Sequence, residues 1–349
     1  MLIKYSLYNE AETKRWDDFI KAHPNGTPFH LTSWMKTIHE TYSFKPILYV
    51  FTDKDCKMLG VLPCFLLKGL FSGTRIISNP FSDYCGPLFQ DNNMEKELFE
   101  KIIKDNDSRV KHIEIRNSLP DYLNCKGINY YKHHIIELDS DPANIFNKFN
   151  KKTIQYSIRK AEKAGVRIIE ENSIHGIEEF YRLNKLTRKK HGIPCQPKQF
   201  FYNLYKNMIS RGVASIILAI YDSKAIAAGI FLKSNDTVFY KYNVSDPEFL
   251  INKVPNHLLT WNAIQQAIDK GCKKFDFGRT SINNKGLIRY KEMWGAKAFD
   301  LSYSYYPHGN GVSETKEDGF TYRMLTSAWR ILPDILAENL GPRIFKHFG

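Results

Sequence analysis

The sequence has no apolar run long enough to cross a bilayer. Its longest, Met58 to Leu67 and Val213 to Ile220, fall well short of the roughly 18 residues a span requires. The first residues, Met1-Leu2-Ile3-Lys4-Tyr5, go straight into strand-like sequence without the basic start, apolar stretch and small-residue cleavage site of an export signal. The expectation is a cytoplasmic protein. Six cysteines (Cys56, Cys64, Cys85, Cys125, Cys195, Cys272) are scattered with no C-x-x-C pair and no histidine at zinc-ligand spacing, which argues against a structural metal site and a disulfide framework. They read as reduced, mostly buried thiols.

Acidic residues are also in deficit. Thirty-seven Asp and Glu face 50 Lys and Arg, a formal charge of +13, and the sequence pI is about 9.2. Such a field attracts polyanions such as nucleotide cofactors, tRNA, lipid diphosphates and anionic membrane surfaces, though solubility alone also accounts for it. What is present is globular: 43% hydrophobic and 25% charged residues are not the depleted composition of a disordered chain. A length of 349 residues suits two domains at about 100–200 residues each.

From Val213 the pattern predicts three strands, Val213 to Tyr221, Ala225 to Lys233 and Thr237 to Val244, separated by Asp222-Ser223-Lys224 and Ser234-Asn235-Asp236, which have hairpin-turn composition. A helix from about Val254 to Gly271 follows, with Pro255 in its first turn. Next come a short strand at Lys274 to Phe277, an irregular stretch holding Gly278 to Ser281, and a last strand, Ala298 to Tyr306, with Phe299, Leu301, Tyr303 and Tyr305 on one face. A strand at Arg167 to Glu171 and helices at Ile177 to Lys190 and Pro197 to Gly212 precede the meander. The order β-α-α-β-β-β-α-β-(α)-β is that of the GNAT acyltransferase fold. The N-terminal half repeats it less clearly, with strands near 2–7, 46–52, 58–68, 74–78, 110–116 and 132–138 and helices near 12–22, 33–42 and 94–105. The expected architecture is α/β: two tandem GNAT-like domains with mixed, largely antiparallel sheets, at 1–140 and 141–310, the second carrying the active site. A helical tail at 311–349 follows.

Four stretches make the likeness narrower. They are Gly60-Val61-Leu62-Pro63 with Pro80-Phe81-Ser82-Asp83-Tyr84-Cys85-Gly86; Lys151-Lys152-Thr153-Ile154-Gln155-Tyr156-Ser157-Ile158-Arg159-Lys160-Ala161; Thr187-Arg188-Lys189-Lys190-His191-Gly192-Ile193-Pro194; and Phe275-Asp276-Phe277-Gly278-Arg279-Thr280-Ser281 with Gly286-Leu287-Ile288-Arg289-Tyr290-Lys291-Glu292-Met293-Trp294-Gly295. In this order, over nearly the whole chain, they resemble the FemAB family: tandem-GNAT enzymes that move amino acids from aminoacyl-tRNA onto peptidoglycan precursors, with relatives in exopolysaccharide gene clusters. Cys85 replaces the first glycine of the family's Y-G-G, and Tyr290 replaces the phenylalanine of its F-K pair.

The resemblance implies that Lys291 steadies the oxyanion of aminolysis, where a positive group aimed at the developing charge is needed. Asp276 and Asp83 are candidates to accept the amine proton, although Asp276 also suits a structural acceptor at a strand end. Lys152, Tyr156, Arg159 and Lys163 share one helical face while Ile154, Ile158 and Ala161 share another. The first face could clamp a diphosphate or be a solvated basic face. Arg188, Tyr240, Asn256, Arg279, Ser281, Arg289 and Tyr290 complete the substrate-binding candidates. At the place of the GNAT pyrophosphate loop stands Ile251-Asn252-Lys253-Val254-Pro255-Asn256-His257-Leu258, without its glycines and with a proline where an amide donor would serve.

The resemblance implies a transferase with no tightly bound cofactor and no metal. Its donor is aminoacyl-tRNA, with acyl-CoA the alternative, and its acceptor is an amine on a phosphorylated envelope or polysaccharide precursor. A CoA-dependent N-acetyltransferase of an amino sugar or nucleotide sugar, and a non-catalytic module holding RNA or an anionic glycolipid, are the competing readings. The mixed aromatic, aliphatic and basic tail from Tyr322 to Lys346 is a candidate peripheral membrane contact. A lysine reaching into a wet cleft would contribute little to stability, so Lys291 is expected to be dispensable for folding.

Overall fold

The computed structural model describes residues 1–69, 73–90, 95–106, 110–119 and 125–306, together with Trp329, Leu340, Gly341, Ile344 and Phe345. The proposed membrane-contacting tail lies outside the described residues apart from those last five. The chain forms two compact units, one made of Met1–Lys132 with the strand segment from Asp300, the other of His133–Phe299 with the later residues.

In the first unit the elements are β1 (Leu2–Tyr5), α1 (Glu10–Ala22), α2 (Thr32–Tyr42), β2 (Lys45–Thr52), β3 (Met58–Gly69), β4 (Gly73–Ile77), β5 (Leu88–Phe89), α3 (Glu95–Asn106), β6 (His112–Ile115) and β7 (Lys126–Glu137), the last of which continues into the second unit. Strands β1, β2, β3 and β4 pair antiparallel in sequence order, and β6 then joins β4 in parallel. A parallel neighbour needs a crossover, and the segment containing α3 supplies it. The helix brings Phe99 and Ile102 onto a core with Tyr49, Leu62 and Ile113.

The second unit holds α4 (Pro142–Lys148), α5 (Tyr156–Lys163), β8 (Arg167–Glu170), α6 (Ile174–His191), α7 (Lys198–Leu204), β9 (Ala214–Tyr221), β10 (Lys224–Ser234), β11 (Thr237–Ser245), α8 (Pro255–Asp269), β12 (Lys274–Ser281), α9 (Lys285–Glu292) and β13 (Lys297–Tyr306), whose end returns to the first unit. The pairing repeats: β8, β9, β10 and β11 are antiparallel neighbours, and β12 joins β11 in parallel after the crossover helix α8. The architecture is mixed α/β, mostly antiparallel. Its core gathers Phe149, Phe231, Trp261, Ile264, Phe275 and Trp294, with Phe149 edge-on to both Trp294 and Trp261 at ring-centre separations of 5.0 and 5.4 Å.

Several local expectations change. Strand β12 does not stop at Phe277 but runs through Gly278 to Ser281. Gly278 takes a left-handed backbone, φ 69°, a conformation open to glycine; the strand bends there and continues. A short helix, α4, occupies what reads as a junction, started by the Asp141 carboxylate accepting from the Ala143 N–H and by Pro142. Phe299 is exposed, while Leu301, Tyr303 and Tyr305 are buried with Tyr84, Tyr130 and Tyr131. Of the cysteines, Cys64, Cys85 and Cys272 are buried, Cys56 is exposed and the other two are intermediate.

Gly60 shows why the first motif needs its glycine. On β3, opposite Phe89, an added Cβ would lie 2.2 Å from the Phe89 ring and 2.9 Å from the Leu88 carbonyl oxygen. Gly60→Ala should therefore part β3 from β5 and cost about 1–3 kcal/mol of stability. Urea denaturation checks this, and an unchanged midpoint would contradict the close packing.

Candidate active site

The second unit's site begins where two strands part. The register between β11 and β12 runs only from Thr237 opposite Lys274 to Phe239 opposite Asp276. Beyond it β12 carries Phe277, Gly278 and Arg279 past α9. The ammonium of Lys291, on the last turn of α9, donates to the carbonyl oxygens of Phe277 at 2.7 Å, Gly278 at 2.8 Å and Arg279 at 3.4 Å. Lys291 is only 6% exposed. Helix α9 aims it there because the Asn284 side chain caps the helix through the Leu287 N–H and because Ile288, one turn earlier on the same face, is buried with it.

Asp276 is fully buried, and its carboxylate accepts the Gly278 N–H at 2.7 Å, which fixes the bend that presents the three carbonyls. His133 lies within electrostatic range of this pair. Burial pushes its pKa below the usual histidine value; the Asp276 charge opposes that shift and the Lys291 charge adds to it. Asp83 belongs to the first unit, where its backbone oxygen accepts from the Tyr303 hydroxyl at 2.5 Å.

Around the parting sit the phenols. Tyr240 follows Phe239 on β11, stacks on Phe231 at 4.5 Å and receives the Thr260 hydroxyl at 3.4 Å. Burial raises its pKa, with Tyr290 adding to the rise. Tyr290, edge-on to His257 at 5.7 Å, is pushed up to about 12 by burial. Both phenols therefore keep their protons at neutral pH and can donate hydrogen bonds. His257 is held down to about 4 by burial and is a neutral imidazole there.

At the start of α8, Val254 has φ 42°, a left-handed backbone that costs a β-branched residue on the order of 1–2 kcal/mol. The turn that glycine would make easily is thus made by valine, and Pro255 follows without an N–H. Asn256 donates to the Ser245 hydroxyl at 3.4 Å, and its own carboxamide oxygen is buried with no hydrogen-bond partner. Ser245 is tied to α6, exchanging backbone bonds with the Thr187 hydroxyl. Arg188 is half-buried and donates to Asn184 at 3.3 Å.

The second and fourth motifs meet. Asn150 donates its N–H to the Met293 carbonyl at 2.8 Å, while its side chain accepts from the Lys152 and Thr153 N–H groups. The turn so started is a π turn, closed by Gln155 N–H to Asn150 oxygen, before α5 begins. Ile154, Ile158 and Ala161 are buried, and Lys152, Tyr156, Arg159 and Lys163 are exposed. Arg159 lies over the Phe146 ring at 5.7 Å. Ser281 accepts the Asn283 N–H, Arg279 is half-buried, and Arg289 is exposed.

Sequence reasoning passed over His133, Asn184 and Thr280. Asn184 carries a signal: with Ile177, Phe180 and Tyr181 it completes the buried stripe of α6, where a carboxamide is out of place unless it serves something. Thr280 is 2% exposed with an unpartnered hydroxyl; nothing in the local sequence separates it from an ordinary strand threonine.

The burial of Lys291 overturns its expected dispensability. Lys291→Met would leave the Phe277 and Gly278 carbonyls without their buried donor, at a cost of about 2 kcal/mol or more. A urea titration of the variant should show this loss, and wild-type stability would mean the carbonyls find other donors.

The Acetyltransferase (GNAT) domain family matches residues 148–292, the stretch from the end of α4 through α9. A lipid II:glycine glycyltransferase of Staphylococcus haemolyticus is 20% identical over 374 aligned positions, covering 80% of this chain and 87% of that protein. Among solved structures, FemX superposes with a TM-score of 0.69 at 16% identity, over 87% of this chain and 96% of that one. A tandem GNAT protein from the clavulanic acid biosynthesis pathway does so with 0.53 at 11% identity, over 87% and 97%. Residues 148–292 thus carry a GNAT acyltransferase domain, and over most of its length the chain is similar to FemAB-like transferases.

Proposed function

We propose that the protein transfers an aminoacyl group from aminoacyl-tRNA to an amine on a phosphorylated, lipid-linked envelope precursor. The observation that carries the reading is the Lys291 ammonium, fixed by strand carbonyls at the parting of β11 and β12, in a chain whose relative over most of its length is a lipid II:glycine glycyltransferase. In the reaction, the acceptor nitrogen attacks the ester carbonyl of the donor, and the carbonyl oxygen becomes an oxyanion. Collapse forms the amide and expels the ribose oxygen of the tRNA, which leaves with the proton lost by the amine. The weakest of the three Lys291 bonds, 3.4 Å to Arg279, is the one a substrate oxygen would replace, bringing the ammonium to the developing charge. The protonated Tyr240 and Tyr290 are further donors for the acyl carbonyl. Asp276 acts as a positioning residue that holds the bend at Gly278.

The donor assignment draws on the start of α8, where Val254 and Pro255 offer fewer amides to a pyrophosphate than a glycine loop would. Lys152 on the turn before α5 and Arg159 on α5, both exposed, are assigned to the acceptor's diphosphate. Single-turnover assays with labelled aminoacyl-tRNA and a lipid-linked muropeptide should give a new amide, while acetyl-CoA should give little product. Efficient acetyl transfer to an amino sugar would replace this reading with the CoA-dependent one.

Reversing both charges, Lys152→Glu with Arg159→Glu, should weaken acceptor binding and flatten its salt dependence, since screening acts on accessible charges, with melting unchanged. Acceptor affinity equal to wild type at every salt concentration would return these side chains to a solvated face.

A further inference from the structure

The loop between β11 and α8 carries the most exposed large hydrophobic side chain among the described residues, Ile251 at 78%, and the facing helix α5 carries another, Tyr156 at 61%. Exposed apolar residues scattered singly need no explanation. Reciprocal clasps hold the loop that carries Ile251 against the segment that carries Tyr156. The Lys160 ammonium, one turn along α5 from Tyr156, donates to the Ile251 carbonyl at 2.9 Å. The Lys253 ammonium donates back to the Ala164 carbonyl at 3.3 Å and sits 3.6 Å from the centre of the Tyr221 ring. The loop tip is thereby pinned with its isoleucine outward. The two clasped segments, residues 151–163 and 248–253, carry six cations against Glu162 and Glu248.

We propose that these two clasped segments, with the exposed Ile251, Tyr156 and lysines, form the surface by which the protein docks on an anionic lipid bilayer. An aliphatic tip and an aromatic ring inserted at the headgroup level, with ammonium groups at lipid phosphates, is the chemistry of interfacial attachment. RNA would use the cations and stack a base on Tyr156, but it gives an exposed isoleucine nothing to bury. The inference does not depend on the donor or acceptor assigned above, because attachment is measurable without turnover.

The test is co-sedimentation of the full chain with phosphatidylcholine vesicles and with phosphatidylcholine–phosphatidylglycerol vesicles at physiological salt. Wild type should pellet with the anionic vesicles and stay in solution with the neutral ones. Ile251→Asp should lower the anionic partition coefficient about tenfold, from the loss of one inserted aliphatic side chain, and Lys163→Glu should lower it several-fold with a reduced salt dependence. Both variants should melt as wild type, and Ile251→Asp should transfer normally to a water-soluble acceptor analogue, which separates failure to dock from failure of the chemistry. Undiminished pelleting of Ile251→Asp would overturn the proposal, showing that attachment lies elsewhere. So would wild-type protein that ignores anionic vesicles, or variants that lose tRNA retention while vesicle binding stays intact.

Discussion

The second unit turns on one ammonium group. Where β11 and β12 diverge, backbone carbonyls leave the ladder that would otherwise satisfy them, and a buried carbonyl without a donor is expensive. Lys291 supplies the donors from α9, and the Asp276 carboxylate shapes the bend that collects the acceptors. A gap between parallel strands, normally a defect, is thereby made permanent. The ammonium that holds it open is itself held by three carbonyls at its edge, the preorganisation that electrostatic catalysis requires.

The remaining elements of that unit can be understood as support for this gap. The aromatic packing of Phe149, Trp261 and Trp294 fixes the segment after α9, and Asn150 ties the start of the α5 region to the same segment through Met293. Exposed cations on α5 are thus set in a fixed relation to the buried lysine. The strained Val254 at the head of α8 adds a second constrained point, and strain of this kind persists only where surrounding structure over-determines it.

Much of this was legible from residue order. The meander β9 to β11 announced itself through turn residues at both breaks, and α8 through Pro255 and its apolar spacing. The faces of α5 followed from periodicity, even though a π turn precedes the helix. What escaped was set by distant contacts. Gly278 reads as a strand end because glycine usually interrupts a ladder, yet here Asp276 makes it a bend within one strand. Lys291 stands in a sequence that looks like any amphipathic helix, and its burial depends on carbonyls twelve or more positions earlier.

Strand β13 has a consequence for how the protein is made. Its residues Ser304 to Tyr306 pair with β6 of the first unit, the Tyr303 ring lies against the buried Arg116 at 5.7 Å, and the Ser304 hydroxyl binds both Leu119 and Asn117. The β13 residues leave the ribosome after every other described strand of both units in chain order. During synthesis the N-terminal unit must therefore wait with the β6 edge unpaired and Arg116 without its aromatic cover until β13 has emerged. Unpaired strand edges are where nascent chains associate wrongly. The order of translation thus leaves the N-terminal unit without one of its own strands until most of the second unit has been made.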